Sequence, residues 1–208
     1  MDITSTKMET KTVKRVNVRS MTVTAMLSAI AFVLMFLDTA VPIMPSFIKL
    51  DVSELPALMA SFALGPVYGV VVCLIKNLLH LLITQTGGVG ELSNFILGVA
   101  FVLPAGLIYH HKKTKTNAII GAIVGAVIMA AISFPSNLYI VYPVYYNFMP
   151  KDVIVAAYQA VAPFANVDSI EKCLLMFNVP FTFVKGMISA IITMLIYQPL
   201  RPLIKGNN

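Results

Sequence analysis

Four side chains stand out as able to do chemistry: Glu91 and Asn94, three residues apart, then Asn137 and Lys185. A carboxylate, two amides and an ammonium suit a ligand rich in carbonyls, ring nitrogens and hydroxyls. They do not form a nucleophile–base pair, so their chemistry is holding rather than bond breaking. Residues three apart share one face of a helix, so Glu91 and Asn94 point together. Around them Phe47, Leu50, Phe95, Phe134, Tyr139 and Phe181 can supply the apolar walls that small-molecule pockets use. The expected binding set is therefore Glu91, Asn94, Asn137 and Lys185, with Tyr139, Phe47 and Leu50 beside them. An alternative for Lys185 is an ion pair with Glu91 that only holds helices together, since a buried charge needs a partner.

A second polar group lies in Lys76, Asn77 and His80. Lys76 and His80 are four apart and share a helix face. Pairing with Glu54 or Asp51 from a neighbouring segment is favoured there over ligand contact. The glycines at 87, 88 and 90 join two apolar runs as a turn and do not form GxGxxG. No GxxxxGK[ST], HExxH or GxSxG occurs, so no ATPase, zinc protease or serine hydrolase signature is present. His110 and His111 are adjacent and diverge on a helix, which fits an interfacial cap better than a metal site. Cys73 and Cys173 form no CxxC, and neither a disulfide framework nor a metal centre is expected. The chain reads as no enzyme, with no catalytic residue, no metal and no cofactor.

The elements that position these groups are membrane helices. The 208 residues are 58% hydrophobic and only 12% charged, with mean hydropathy +0.85. Soluble domains carry about 25% charged residues. Each span takes about 20 residues, so the length suits one bundle of about six helices and no second domain. A charge in hydrocarbon costs at least about 2.5 kcal/mol, so the embedded polar groups must face one another, a cavity or a ligand.

Spans are expected at 21–37, in two short pieces between 55 and 83, and at 92–109, 118–141 and 173–197. Residues 1–19 are a basic segment with Lys7, Lys11, Lys14, Arg15 and Arg19. The first span is longer than a usual signal-peptide core and lacks a cleavage pattern before 38–45, so it reads as retained. The loop 38–51, with Pro42, Pro45 and the apolar Phe47, Ile48 and Leu50, should fold over the mouth of the bundle. Ser53, Glu54 and Pro56 mark a helix start. Gly65-Pro66 then reads as a tight turn that divides 55–83 in two. With that division, ten Lys and Arg fall on one side (residues 7–19, 112–115 and 201–205) and three on the other (Lys49, Lys151, Lys172). Without it the split is seven to six, so the positive-inside rule favours six spans with both termini cytoplasmic. The same distribution accounts for the net charge of +6 without nucleic acid. Tyrosines at 139, 142, 145 and 146 read mostly as an interfacial belt, and 151–161 as a short amphipathic surface helix. Ala25 and Ala29 form a smooth patch, which on spacing alone favours ordinary helix packing.

Several runs carry a family resemblance. They are 47–58 (with Asp51, Ser53, Glu54, Pro56 and Ala57), Gly65 to Gly69, Lys76 to His80, and Gly90 to Phe95. In these the chain resembles the substrate-binding S components of energy-coupling-factor (ECF) vitamin transporters over roughly residues 20–200. The runs at 76–80 and 90–95, with Asn137 and Lys185, resemble the riboflavin-specific type. The resemblance implies an all-α membrane protein, a six-transmembrane-helix bundle with a capping first extracellular loop. It implies a cell-membrane subunit that captures riboflavin from outside as transported ligand. Asn137 and Lys185 would hold the flavin ring, with Glu91 and Asn94 in the same pocket. It also implies that Ala25 and Ala29 dock on a transmembrane coupling subunit bearing two ATPase subunits, reversing the reading from spacing. The competing reading is a self-sufficient secondary transporter with Lys76, His80 and Glu91 as a proton relay, although no internal inverted repeat is evident.

Overall fold

The structure is a computed structural model that describes residues 18–84, 86–163 and 167–205, the stretch 198–205 as backbone only. The basic residues of 1–17 therefore lie outside the described residues. The fold is helical throughout apart from one two-stranded ribbon.

Helix α1 (Val18–Met35) buries Thr24, Leu27, Ser28, Ala31 and Met35, spaced by three and four, as a helix with one packed face must. The chain then crosses the bundle mouth. Strand β1 (Thr39–Ala40) pairs antiparallel with β2 (Lys49–Leu50), Thr39 opposite Leu50, and Lys49 Nζ meets Asp38 Oδ2 at 2.9 Å. Met44 and Asp51 are buried, and the Phe47 ring packs on Tyr145 and Tyr158 at 5.9 and 6.2 Å between centroids. The first loop thus caps the bundle as expected.

Helix α2 (Glu54–Ala63) buries nine of its ten residues. At 1.5 Å per residue it is about 15 Å long, half a bilayer core. It is therefore a short internal helix, walled in by its neighbours. Gly65, at φ 130°, makes the turn that a side chain would resist, and Pro66 opens α3 (Pro66–His80). A Cβ on Gly69 would fall 2.7 Å from Ser61 Cβ and 2.9 Å from the Ala57 carbonyl, so α2 and α3 touch backbone to backbone there. A single-turn 3₁₀ segment (Leu81–Ile83) ends α3, and α4 (Val89–His111) follows the glycine turn.

Helix α5 (Lys115–Ser136) runs on through a π turn (Asn137–Val141) into α6 (Tyr142–Tyr145). The surface helix α7 (Lys151–Val161) has the boundaries expected from its sequence. Helix α8 (Ile170–Cys173) passes through a second π turn (Leu174–Asn178) into α9 (Val179–Lys205). Both π turns have one cause. Tyr142 N–H bonds Asn137 O and Val179 N–H bonds Leu174 O, each five residues back, and the next residue in each case is a proline, Pro143 or Pro180. A proline has no N–H to restore the α register.

Five helical stretches among the described residues are long and apolar enough to cross a membrane, and α2 is the short sixth member. Two apolar clusters fill the interior. One centres on Leu58, Phe62, Phe101 and Met129. The other lies under the cap, around Met44, Tyr142, Tyr158 and Leu174.

Candidate functional site

Beneath the cap lies a cavity of about 510 Å³. Its wall takes residues from well-separated parts of the chain: Phe47 and Asp51 from the loop, His80 from α3, Glu91 and Asn94 from α4, Asn137 from the first π turn, Asn178 from the second, and Lys185 from α9.

The deepest group is a chain of charges. Lys185 Nζ lies 2.8 Å from Asp51 Oδ2, 3.4 Å from Glu54 Oε2 and 3.3 Å from Asn94 Oδ1. Glu54 turns its other oxygen to Lys76 Nζ at 3.1 Å, and Lys76 also donates to Ser53 Oγ at 2.5 Å. Ser53 donates its backbone N–H (2.9 Å) and its hydroxyl to Asp51 Oδ1. Lys76 and Glu54 have no exposed side-chain surface. Two ammoniums and two carboxylates thus cancel, as buried charges require. Burial works to raise the Asp51 carboxyl, but the facing Lys185 and Lys76 outweigh it and hold it well below the usual carboxylate range.

Nearer the mouth, Glu91 Oε1 lies 2.6 Å from His80 Nδ1, and Oε2 accepts from Thr84 (3.0 Å) and Thr86 (3.2 Å). On the far wall Tyr158 donates to Asn178 Oδ1 at 2.6 Å, so Tyr142, 2.8 Å away, donates to Tyr158. Ser93 donates to Asn137 Oδ1 at 3.3 Å. A common result follows for the three asparagines. Each carbonyl oxygen is already taken, by Lys185 at Asn94, by Ser93 at Asn137 and by Tyr158 at Asn178. What they offer a guest is N–H donors, while Glu91 offers acceptors.

Of the expected set, Phe47, Glu91, Asn94, Asn137 and Lys185 line this cavity. Leu50 is not in its wall: Lys49, its neighbour in the ribbon, lines the cavity, and successive strand residues face opposite sides. Tyr139 is 74% exposed on the bundle's outer face, since two residues from Asn137 it falls on the opposite side of the helix. The alternative pairing of Lys185 with Glu91 is replaced: Lys185 takes Asp51 and Glu54, and Glu91 takes His80. Lys76 does pair with Glu54, whereas His80 turns to Glu91 rather than to α2. Sequence reasoning gave Asn178 and Tyr158 no role. The signal was there in a lone asparagine two residues before Pro180. Ala25 and Ala29 are exposed on α1, opposite its packed face.

Fold and cavity define a polytopic helical membrane protein with a polar chamber partly roofed by its first loop. A family model described as the ECF transporter, substrate-specific component, matches residues 19–197, and the chain belongs to that family. It is 33% identical over 182 residues to the riboflavin transporter RibU of Staphylococcus aureus, covering 87% of this chain and 89% of that protein. It is 28% identical to the riboflavin transporter FmnP of Bacillus subtilis, covering 90% and 95%. A solved structure, described under "Structure and mechanism of the S component of a bacterial ECF transporter", superposes with TM-score 0.71 at 32% identity, covering 90% of this chain and 98% of that one. These relatives are transport proteins, not enzymes.

Proposed function

We propose that the protein is the riboflavin-binding subunit of an ECF-type importer. The carrying observation is the chamber itself: amide N–H donors from Asn94, Asn137 and Asn178 and the Glu91 carboxylate line one space, with the Lys185 ammonium held beside them by Asp51 and Glu54. An isoalloxazine ring presents carbonyls and ring nitrogens along one edge, which need donors. A ribityl chain presents hydroxyls, which suit an acceptor such as Glu91. Phe47, Leu97, Met129 and Phe181 supply apolar wall for the tricyclic ring. The names of the relatives support the same ligand.

The rest of the reading follows from this ligand and from the family. The whole chain, 1–208, acts as one membrane domain in the cell membrane, with N- and C-termini cytoplasmic. The chamber then opens outward beneath the loop 36–53. Ala25 and Ala29, exposed on α1, form the face for a transmembrane coupling subunit that bears two ATPases. High affinity comes from a chamber whose polar groups are already held in place. The test is a spectrum: protein purified from riboflavin-fed cells should be yellow with flavin absorption. A colourless preparation that takes up no added riboflavin would refute the ligand assignment.

A further inference from the structure

At the end of the bundle opposite the chamber, the α4–α5 turn and α9 enclose a second, smaller cavity of about 140 Å³. Its wall is almost wholly apolar, formed by Tyr109, Ala118, Ile119, Met194 and Tyr197. Lys113, Thr114 and Lys115 stand at its rim, and Lys112 adjoins them. Ile119 is half exposed, so the groove opens toward the surround of the bundle.

Among the described residues the three lysines have no acidic counterpart. All seven carboxylates among the described residues (Asp38, Asp51, Glu54, Glu91, Asp152, Asp168, Glu171) lie in the cap, the chamber or the α7–α8 end. No ion pair reaches Lys112, Lys113 or Lys115 among the described residues. Thr114 accepts from Asn117 N–H and caps α5, and the positive end of that helix adds to the same field. On α9, Arg201 follows Tyr197 by about one helical turn.

An apolar slot beneath an unpaired cluster of positive charge, at the depth where helices leave the membrane, matches one kind of molecule: a two-part amphiphile with an anionic head. We propose that this groove is a binding site for an anionic phospholipid. The headgroup phosphate meets Lys113 and Lys115, and the upper part of one acyl chain lies on Ile119, Met194 and Tyr197. Basic residues at a membrane surface attract anionic lipid, so a pair directed at one phosphate favours an anionic over a zwitterionic headgroup.

Native mass spectrometry of the full-length protein in detergent, titrated with an equimolar mixture of phosphatidylglycerol and phosphatidylcholine, tests this. The wild type should carry phosphatidylglycerol preferentially, and 0.5 M salt should erode that preference. The double variant K113Q/K115Q should bind it about tenfold more weakly, while K113R/K115R should retain it. Both lysines are exposed and unpaired, so helix content and melting without lipid should be unaltered. I119Q should also weaken phosphatidylglycerol binding while leaving inorganic phosphate without effect in either background. Equal retention of the two lipids, or phosphatidylglycerol binding indifferent to K113Q/K115Q, would overturn the site. Displacement of the lipid by millimolar inorganic phosphate, with I119Q silent, would reduce it to a free-anion site and also overturn the proposal.

Discussion

Lys185 is the residue on which most of the chamber turns, because it touches two carboxylates and one amide at once. Replacing it by alanine strands Asp51 and, on the proposed function, removes a positive group from the ligand site, so Lys185→Ala should lower both riboflavin affinity and stability. Asn137→Ala is the cleaner probe. Within the protein it loses only a 3.3 Å bond from Ser93, so on the proposed function affinity should fall by about 1–3 kcal/mol with little change in melting temperature. Flavin fluorescence titration alongside thermal unfolding separates the two cases, and unchanged affinity in Asn137→Ala would tell against this pocket. Asp51 allows a statement about pH. Its folded-state value is depressed, so the stability it contributes is present above the ordinary carboxylate range and is lost only as pH falls through the depressed value. Lowering pH from 7 to 4 should therefore leave the Lys185–Asp51 contribution intact. Asp51→Asn should cost about 3 kcal/mol across that whole window, since removing one partner of a buried pair leaves the other uncompensated. A wild type and variant that converge in stability by pH 4 would contradict this.

At the scale of elements, the two π turns set the far wall of the chamber. Each precedes a proline by one residue, and each ends or begins with a buried asparagine that lines the cavity, Asn137 or Asn178. The surface helix α7 contacts this wall through Tyr158, which is fully buried, packs its ring on Phe177 and bonds its hydroxyl to both Tyr142 and Asn178. Tyr158→Phe should leave the helices folded but free the Asn178 amide to rotate. Affinity should drop by about 1–2 kcal/mol, as for one buried bond, with helix content by circular dichroism unchanged. Full affinity in the variant would show that α7 plays no part in positioning. These elements also mark what was legible in the sequence. The spans, the Gly65-Pro66 turn, the cap over the mouth and α7 were legible because hydropathy, proline and glycine act locally. The partners of Lys185 were not. Asp51 is 134 residues away in sequence, and only the path of the cap brings it beneath α9. Tyr139 is misplaced for a different reason. Its closeness to Asn137 in sequence sets it beside the pocket, but residues two apart fall on opposite sides of a helix, and with Asn137 buried Tyr139 faces outward.

At the scale of the whole molecule, the buried charges among the described residues are neutralised against one another in one cluster rather than strung across the bundle as a relay. The Lys76–Glu54–Lys185–Asp51 cluster stays on one side of α2, whose remaining length toward the opposite end is apolar around Leu58 and Phe62. A proton or ion passing through would have to cross that plug. Binding and transport should therefore separate. Vesicles containing this chain alone should retain riboflavin stoichiometrically but accumulate none, whatever ion gradient is imposed. Co-reconstitution with a coupling subunit and its ATPases should give uptake that requires ATP. On the same reasoning, Ala25→Trp with Ala29→Trp should abolish ATP-driven uptake while leaving flavin titration unchanged, since both alanines face away from the chamber on α1. Gradient-driven accumulation by the chain alone would instead make it a self-sufficient carrier, with His80 and Glu91 as the first groups to examine.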